Sequence, residues 1–208
     1  MPTLIRTEAD VRSSHLRAFR LDETRVALVP EQAVLLAGDH VEVHVRVGAG
    51  RVLELVEPGG SVAYAMRGSS ARWDVRIEVE DGGSLVWHGQ PFVVAEGADV
   101  SRRLSIELGT TARVVLHETL VLGRSGEEPG TLVCRTDVQR NGVPVLIEEL
   151  DAFVGLGLHR VVDQVLCLGS GCDGDGLVLE SGDRLHRWLG AETHLSPIRV
   201  CQSSPSEE

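Results

Sequence analysis

Ile77-Glu78-Val79-Glu80-Asp81-Gly82-Gly83-Ser84-Leu85-Val86-Trp87 is an alternating apolar strand, a short turn and a second apolar strand. The same unit precedes it as Val45-Arg46-Val47-Gly48-Ala49-Gly50-Arg51-Val52-Leu53-Glu54. It follows again as Ile106-Glu107-Leu108-Gly109-Thr110-Thr111-Ala112-Arg113-Val114-Val115-Leu116. The copies recur at a spacing of about thirty residues, a period that marks stacked units, each burying a face only against its neighbours. The expected fold class is mainly β: a stacked, elongated, β-helix-like sheet scaffold with few short helices. Such a body presents long surfaces and does not gather one catalytic cluster.

Outward from these copies the pattern continues. Val41-Glu42-Val43-His44-Val45-Arg46-Val47 sets valines on one side and polar residues on the other, after a Gly38-Asp39 turn. Asp81-Gly82 reads as a hairpin turn, and so does Asn141-Gly142 between apolar runs at 132–138 and 143–150. Residues 1–25 are weakly patterned, and 91–99 read as a loop or short edge strand. Val161 to Leu168 is too short an apolar run to choose between helix and strand. Residues 169–176 read as a loop; 177–180, about 185–189 and 198–201 read as short strands. The expectation is one scaffold domain over 1–201 and a disordered polar tail over 202–208.

The 208 residues are 42% apolar and 25% charged, enough for a sizeable core in a soluble globular chain. No apolar run approaches the roughly 20 residues of a membrane helix, and the start lacks the basic-then-apolar order of a signal peptide. The expectation is a cytoplasmic protein with no membrane partner. A net charge of −11 argues against nucleic acid and allows a basic partner or a cationic cargo. All 20 basic residues are arginine, which excludes Walker-type phosphate binding and Schiff-base chemistry. Cys134, Cys167, Cys172 and Cys201 form no Cys-x-x-Cys and are expected to be reduced thiols, with Cys134 in the core.

Several residues are candidates for chemistry. His40 and His44 lie four apart on a strand, about 13 Å, too far to share one ion; they read as solvated histidines. Asp173-Gly174-Asp175-Gly176 with Glu180 fails the calcium-loop pattern and reads as an acidic loop. His88 follows the second return strand, His117-Glu118 follow the third, and Glu54 holds a similar place in the first. Stacked in register, these four would occupy equivalent corners, and imidazole with carboxylate suits nickel or zinc; polar caps at strand ends are the competing reading. Trp87 reads as core. The stretch 148–183 carries eight acidic residues against Arg160 alone, an acidic field or a solvated face. Ser-His-Asp, Gly-x-Ser-x-Gly and His-Glu-x-x-His signals are missing.

Four stretches together carry a family resemblance. They are Gly38-Asp39 with Gly48-x-Gly50-Arg51-x-Leu53; Leu85-Val86-Trp87-x-x-Gln90-Pro91-Phe92-Val93 with Gly97-Ala98; Glu118-Thr119-Leu120-Val121-Leu122-Gly123-Arg124; and Arg135 with Asn141-Gly142 and Leu150-Asp151. In order and spacing, over roughly 30–170, the chain resembles the urease accessory protein UreD (UreH) family. It departs at Ser61-Val62-Ala63-Tyr64, where the family commonly carries a lysine-containing run, and after about Thr193, as a short or divergent member would. The resemblance implies a non-enzymatic chaperone in a hetero-oligomer. It would bind UreF, reach UreG through UreF, dock on apo-urease subunits and assist nickel insertion, with a tunnel for the ion. Nickel would be transient cargo, with no tightly bound cofactor. Glu54, His88, His117 and Glu118 are then candidates for the ion's path, where dispersed weak ligands serve better than a closed cage. Two alternatives stand beside this: a metal-dependent cupin-like β-barrel enzyme, although the chain has no His-x-His, and a purely structural protein-binding β module.

Overall fold

Alternation of apolar and polar residues places most of the chain in strands, because it gives each segment one face to bury. The structure, a computed structural model, describes residues 9–31, 34–169 and 175–198. In chain order the first strands are β1 (Ala9–Ser13), β2 (Leu16–Arg20), β3 (Arg25–Pro30), β4 (Val34–Leu35), β5 (His40–Val47) and β6 (Val52–Val56). Next come β7 (Ser61–Ala63), β8 (Ala71–Val79), β9 (Ser84–His88), β10 (Phe92–Val94), β11 (Asp99–Leu108) and β12 (Arg113–Leu122). The last are β13 (Thr131–Arg140), β14 (Val143–Asp151), β15 (Val161–Leu168), β16 (Leu177–Val178) and β17 (Arg184–Gly190). A single helical turn, α1 (Ala152–Gly155), and a 3-10 turn (Thr193–Leu195) are the described helices.

Successive copies of the repeat stack in parallel, as the period required. One sheet runs β1-β5-β8-β11-β13-β14, with β5, β8, β11 and β13 parallel and β1 and β14 antiparallel at its flanks. The facing sheet runs β16-β17-β15-β12-β9-β6-β3-β2. A short third ladder, β4-β7-β10, joins it where β10 pairs β12. The chain thus coils from the first sheet through a corner into the second and on to the third, a solenoid-like mainly β scaffold.

Asp81-Gly82 is a corner and not the hairpin turn its sequence suggests. β8 pairs with β5 and β11, while β9 pairs with β6 and β12, so the two strands flanking the turn lie in different sheets. The corners extend the ladder. Gly50 N donates to Asp81 O (3.0 Å), Gly82 N to Thr111 Oγ1 (2.8 Å) and Arg113 N to Gly83 O (2.9 Å). Polar Asp and Thr therefore sit in the turns because each corner hydrogen-bonds to the next. Asn141-Gly142 does close a hairpin between β13 and β14, with Asn141 at φ 50° and Gly142 at φ 75°.

The core is a set of rungs. Val45, Ile77, Ile106 and Val138 lie in register across the first sheet, and Leu53, Leu85, Val114 and Leu168 across the second, all nearly or fully buried. Each such side chain contributes about 1.5–3 kcal/mol by leaving water.

Other expectations resolve here. Within the weakly patterned start, residues 9–13 and 16–20 form β1 and β2, edge strands whose polar residues blur the alternation. Val161–Leu168 is strand, buried on both faces, which is why it reads as a continuous apolar run. The sequence 91–99 supplies β10. The 198–201 strand and the tail at 202–208 fall at or outside the edge of the described residues. Cys134 is a free thiol, but Cys167 is disulfide-bonded, against the expectation of reduced thiols throughout.

Candidate functional site

A strand sends neighbouring residues to opposite faces, and this rule divides the four candidate ligands. Glu54, His88 and His117 project from the outer face of the second sheet; Glu118, next to His117, projects into the space between the sheets. His88 and His117 are register partners, and His88 Nε2 lies 3.9 Å from Glu54 Oε1. His117 Nε2 is 2.8 Å from Asp163 Oδ1, which also accepts from Thr119 Oγ1 at 2.9 Å. Burial pushes the Asp163 carboxyl up, but hydrogen bonds from His117, Ser196 and Thr119 more than offset it and hold it below its ordinary range. Among the described residues no three His, Cys, Asp or Glu side chains come together as a metal cage.

Glu118 belongs to a polar seam between the sheets. Its Oε1 accepts from Arg102 Nη2 on β11 (3.0 Å) and its Oε2 from Gln164 Nε2 on β15 (3.1 Å). Gln164 Oε1 accepts from Arg187 Nε on β17 (2.8 Å). Arg187 then grips Glu148 on β14 with two parallel bonds of 2.7 and 2.6 Å. Glu118, Gln164 and Arg187 form one rung of the second sheet. Glu57 extends the seam past β6: its Oε1 accepts from Trp87 Nε1 and its Oε2 from Gln90 N, each at 2.9 Å. Burial pushes the Glu57 carboxyl above its ordinary value, those two donors and Arg102 working against it. Arg102 also stacks over the Phe92 ring at 4.8 Å, and its buried Nε has no hydrogen-bond partner among the described residues.

Two small cavities open along the seam, sharing Arg102, Leu104 and Glu118 in their walls. One of about 40 Å³ lies beside Glu57, and one of about 20 Å³ lies among Cys134, Glu148, Gln164 and Arg187. Either has room for water, which needs roughly 10–15 Å³ and polar partners. Burial at this wall pushes the Cys134 thiol up to about 12.

Glu57, Arg102, Glu148, Gln164 and Arg187 were missed by sequence reasoning, although a signal existed. Each of five strands has an inward row in which one polar residue interrupts two apolar ones: 100/102/104, 116/118/120, 146/148/150, 162/164/166 and 185/187/189. Of the acidic residues between 148 and 183, read in the sequence as an acidic field or a solvated face, three are held by donors. Glu148 is bound in the seam, Asp163 sits on the outer face, and Asp183 holds Gly169 N (2.6 Å) and Ser181 Oγ (2.7 Å). Strand alternation sends Glu148 and Asp163 to different faces. Asp173 and Gly174 of the acidic loop lie outside the described residues. His40 and His44 project from the outer face of the first sheet, 2.8 Å from Asp74 and 3.3 Å from Glu78. Trp87 is core, as expected, with its indole N–H turned to Glu57.

The Gly123-Arg124 stretch has a structural role. Gly123 adopts φ 72°, and a Cβ there would meet Arg160 Nη2 at 2.5 Å. Arg160 donates to the carbonyls of Leu122, Arg124 and Glu127 (2.8–3.0 Å), fastening the loop, while Arg124 lies over Tyr64 at 5.1 Å.

Coiled parallel ladders around an ion-paired seam define a solenoid-like β scaffold. Comparison with known proteins narrows this: the model of the UreD urease accessory protein family matches residues 14–175. The chain is 42% identical over 191 residues to urease accessory protein UreD 1 of Streptomyces griseus, covering 81% of this chain and 75% of that one. It is 35% identical to UreD of Streptomyces coelicolor and 32% to UreD 2 of Saccharopolyspora erythraea, spanning 63% and 58% of their lengths. The chain belongs to the UreD family of urease accessory proteins.

Proposed function

We propose that this chain is a non-catalytic chaperone of urease maturation that holds UreF, and UreG through it, on apo-urease and assists delivery of nickel. The observation that carries this reading, beyond family membership, is the seam: charged and amide groups cross an otherwise apolar interior beside water-sized cavities. Burying ions is costly unless they are paired, and a scaffold that needed only stability would fill this space with hydrocarbon. Oxygen ligands such as Glu118 and Glu57 hold a hydrated divalent ion weakly enough to release it. Glu54, His88 and His117 would meet the ion on the outer face, as a separate and looser set. No helix among the described residues is long and apolar enough to cross a membrane.

The test is urease activation in cells carrying the urease structural and accessory genes at limiting nickel. Arg102→Met paired with Glu118→Leu, which removes the seam's charges and keeps its volume, is expected to abolish activation while the protein still co-purifies with its partners. Full activation by that variant would remove the seam from the mechanism and favour a purely structural module. Full activation by the combined Glu54→Ala, His88→Ala and His117→Ala variant would remove the outer set.

A further inference from the structure

The outer faces of the scaffold are finished differently. That of the first sheet is set with ion pairs, His40 to Asp74 at 2.8 Å and Arg76 to Glu107 at 3.1 Å among them, and such a surface suits water. On the third ladder the outward residues are apolar. Val34, Val62, Val93 and Val121 are register partners across β4, β7, β10 and β12, strands that all run parallel. Their neighbours Leu35, Ala63, Val94 and Leu122 are at most 2% exposed, so alternation turns the four valines outward. Val34 is 36% exposed, the other three are half-buried beside one another, and Leu36, just past β4, is 47% exposed. Parallel sheets are ordinarily covered on both faces, and the covering layer is helical.

We propose that this valine row is a docking site for one amphipathic α-helix of a partner protein, laid across the strands with its apolar stripe on the valines. Size decides the occupant. Four strands spaced about 4.8 Å apart make a row about 14 Å long. β4, β7 and β10 have two, three and three residues, which gives the row a depth of about 10 Å. That footprint is a small fraction of the roughly 800 Å² that each partner covers in a stable dimer, so it does not call for a second copy of this chain. It matches the width of a single helix, about 10–12 Å. The strand spacing is also close to the helical pitch of about 5.4 Å, so side chains one turn apart settle between successive valines. A docked strand does not fit, because β7 and β10 already pair on both sides and offer a face, not an edge. The row carries no charge, so its affinity comes from apolar burial and owes little to the net charge of −11. The inference rests on the accessory-scaffold reading only for the existence of a partner.

The probe is a fluorescein-labelled, stapled helical peptide of about 14 residues, added to the full purified chain. It is built of leucine with equal numbers of glutamate and lysine, the leucines at i, i+3, i+4 and i+7. Its control has the same residues with leucine at every second position. The expected result is saturable binding of the helical probe alone, little changed by salt. Val62→Lys combined with Val93→Lys should weaken it at least about tenfold, while Ser101→Lys on the ion-paired face leaves it unchanged. Circular dichroism and melting control for the fold. If the first pair unfolds the chain, Val34→Lys with Leu36→Lys at the exposed end of the row should weaken binding in the same sense. Equal binding of the control peptide, no binding, or binding indifferent to the valine variants would overturn the proposal. So would a dimer in sedimentation that the valine variants dissociate, which would assign the row to a second copy. The assay contains no urease, so its failure leaves the accessory reading standing, and failure of activation leaves this result standing.

Discussion

Removing Glu118 alone should cost far more than removing Glu118 and Arg102 together. The two groups approach at 3.0 Å and are 18% and 14% exposed. At an effective dielectric of about 20 their attraction is roughly 5.5 kcal/mol, but taking two ions out of water offsets most of it. Glu118→Ala leaves Arg102 buried, with its Nε already unpartnered, and takes the acceptor from Gln164 Nε2. Breaking a buried pair in this way typically costs about 3–5 kcal/mol, or a melting shift of about 10 °C for a chain of this length. Arg102→Met with Glu118→Leu keeps a side chain over Phe92 and strands neither member of the pair, although Gln164 Nε2 still loses its acceptor and Glu57 its nearby cation. It should therefore recover part of the loss and be at least about 1 kcal/mol more stable than Glu118→Ala. Urea unfolding followed by both circular dichroism and tryptophan fluorescence measures this, coincident transitions licensing the comparison. A Glu118→Ala variant within about 0.5 kcal/mol of the parent would refute the seam as a buried charge network. So would a double variant no more stable than the single.

Three further outcomes are expected. Gly123→Ala forces a side chain into left-handed backbone against Arg160 and the Glu128 carbonyl, and should lower stability by roughly 1–3 kcal/mol, read as a melting shift. Asp163 has a folded pKa below its ordinary value, so its stabilisation is present above about pH 4 and fades as pH falls through the lower folded value. The parent should therefore lead Asp163→Asn in urea midpoint near neutrality, with the gap closing as the pH falls below the ordinary carboxyl value; a constant gap would contradict this. The Cys134 thiol, pushed up to about 12 by burial, should resist iodoacetamide near pH 8 in the native protein and react once unfolded, as followed by mass spectrometry of its peptide.

The scaffold was legible in the sequence because a long repeat leaves its mark on every copy, yet the local turn signal misled. Asp81-Gly82 and Asn141-Gly142 look alike as dipeptides, but only the second joins paired strands. The first bends the chain between sheets, and its neighbours pair with segments about thirty residues away. The site was less legible. His117 and Glu118 are adjacent, and treating them as one cluster ignored the two-residue period that sends them to opposite faces. The like-charged doublets Arg102-Arg103 and Glu148-Glu149 hid the seam for the same reason: the first member of each points inward and the second to solvent. Glu57 had no strand pattern to mark it; only its bonds to Trp87 and Gln90 place it in the interior.

Because β8, β11 and β13 each lie in parallel register on the strand one coil earlier, the chain can wind as it is synthesised. Each finished lap offers a template with about the same loop to close, and addition can proceed from the amino-terminal side without waiting for distant sequence. The exception is the closing group of β14, β15 and β17, which completes the Arg187 grip on Glu148. That clasp needs Arg187 on β17, the latest of these strands in the chain, so a ribosome-bound intermediate ending before it would carry a wound body with its charged interior still unlatched.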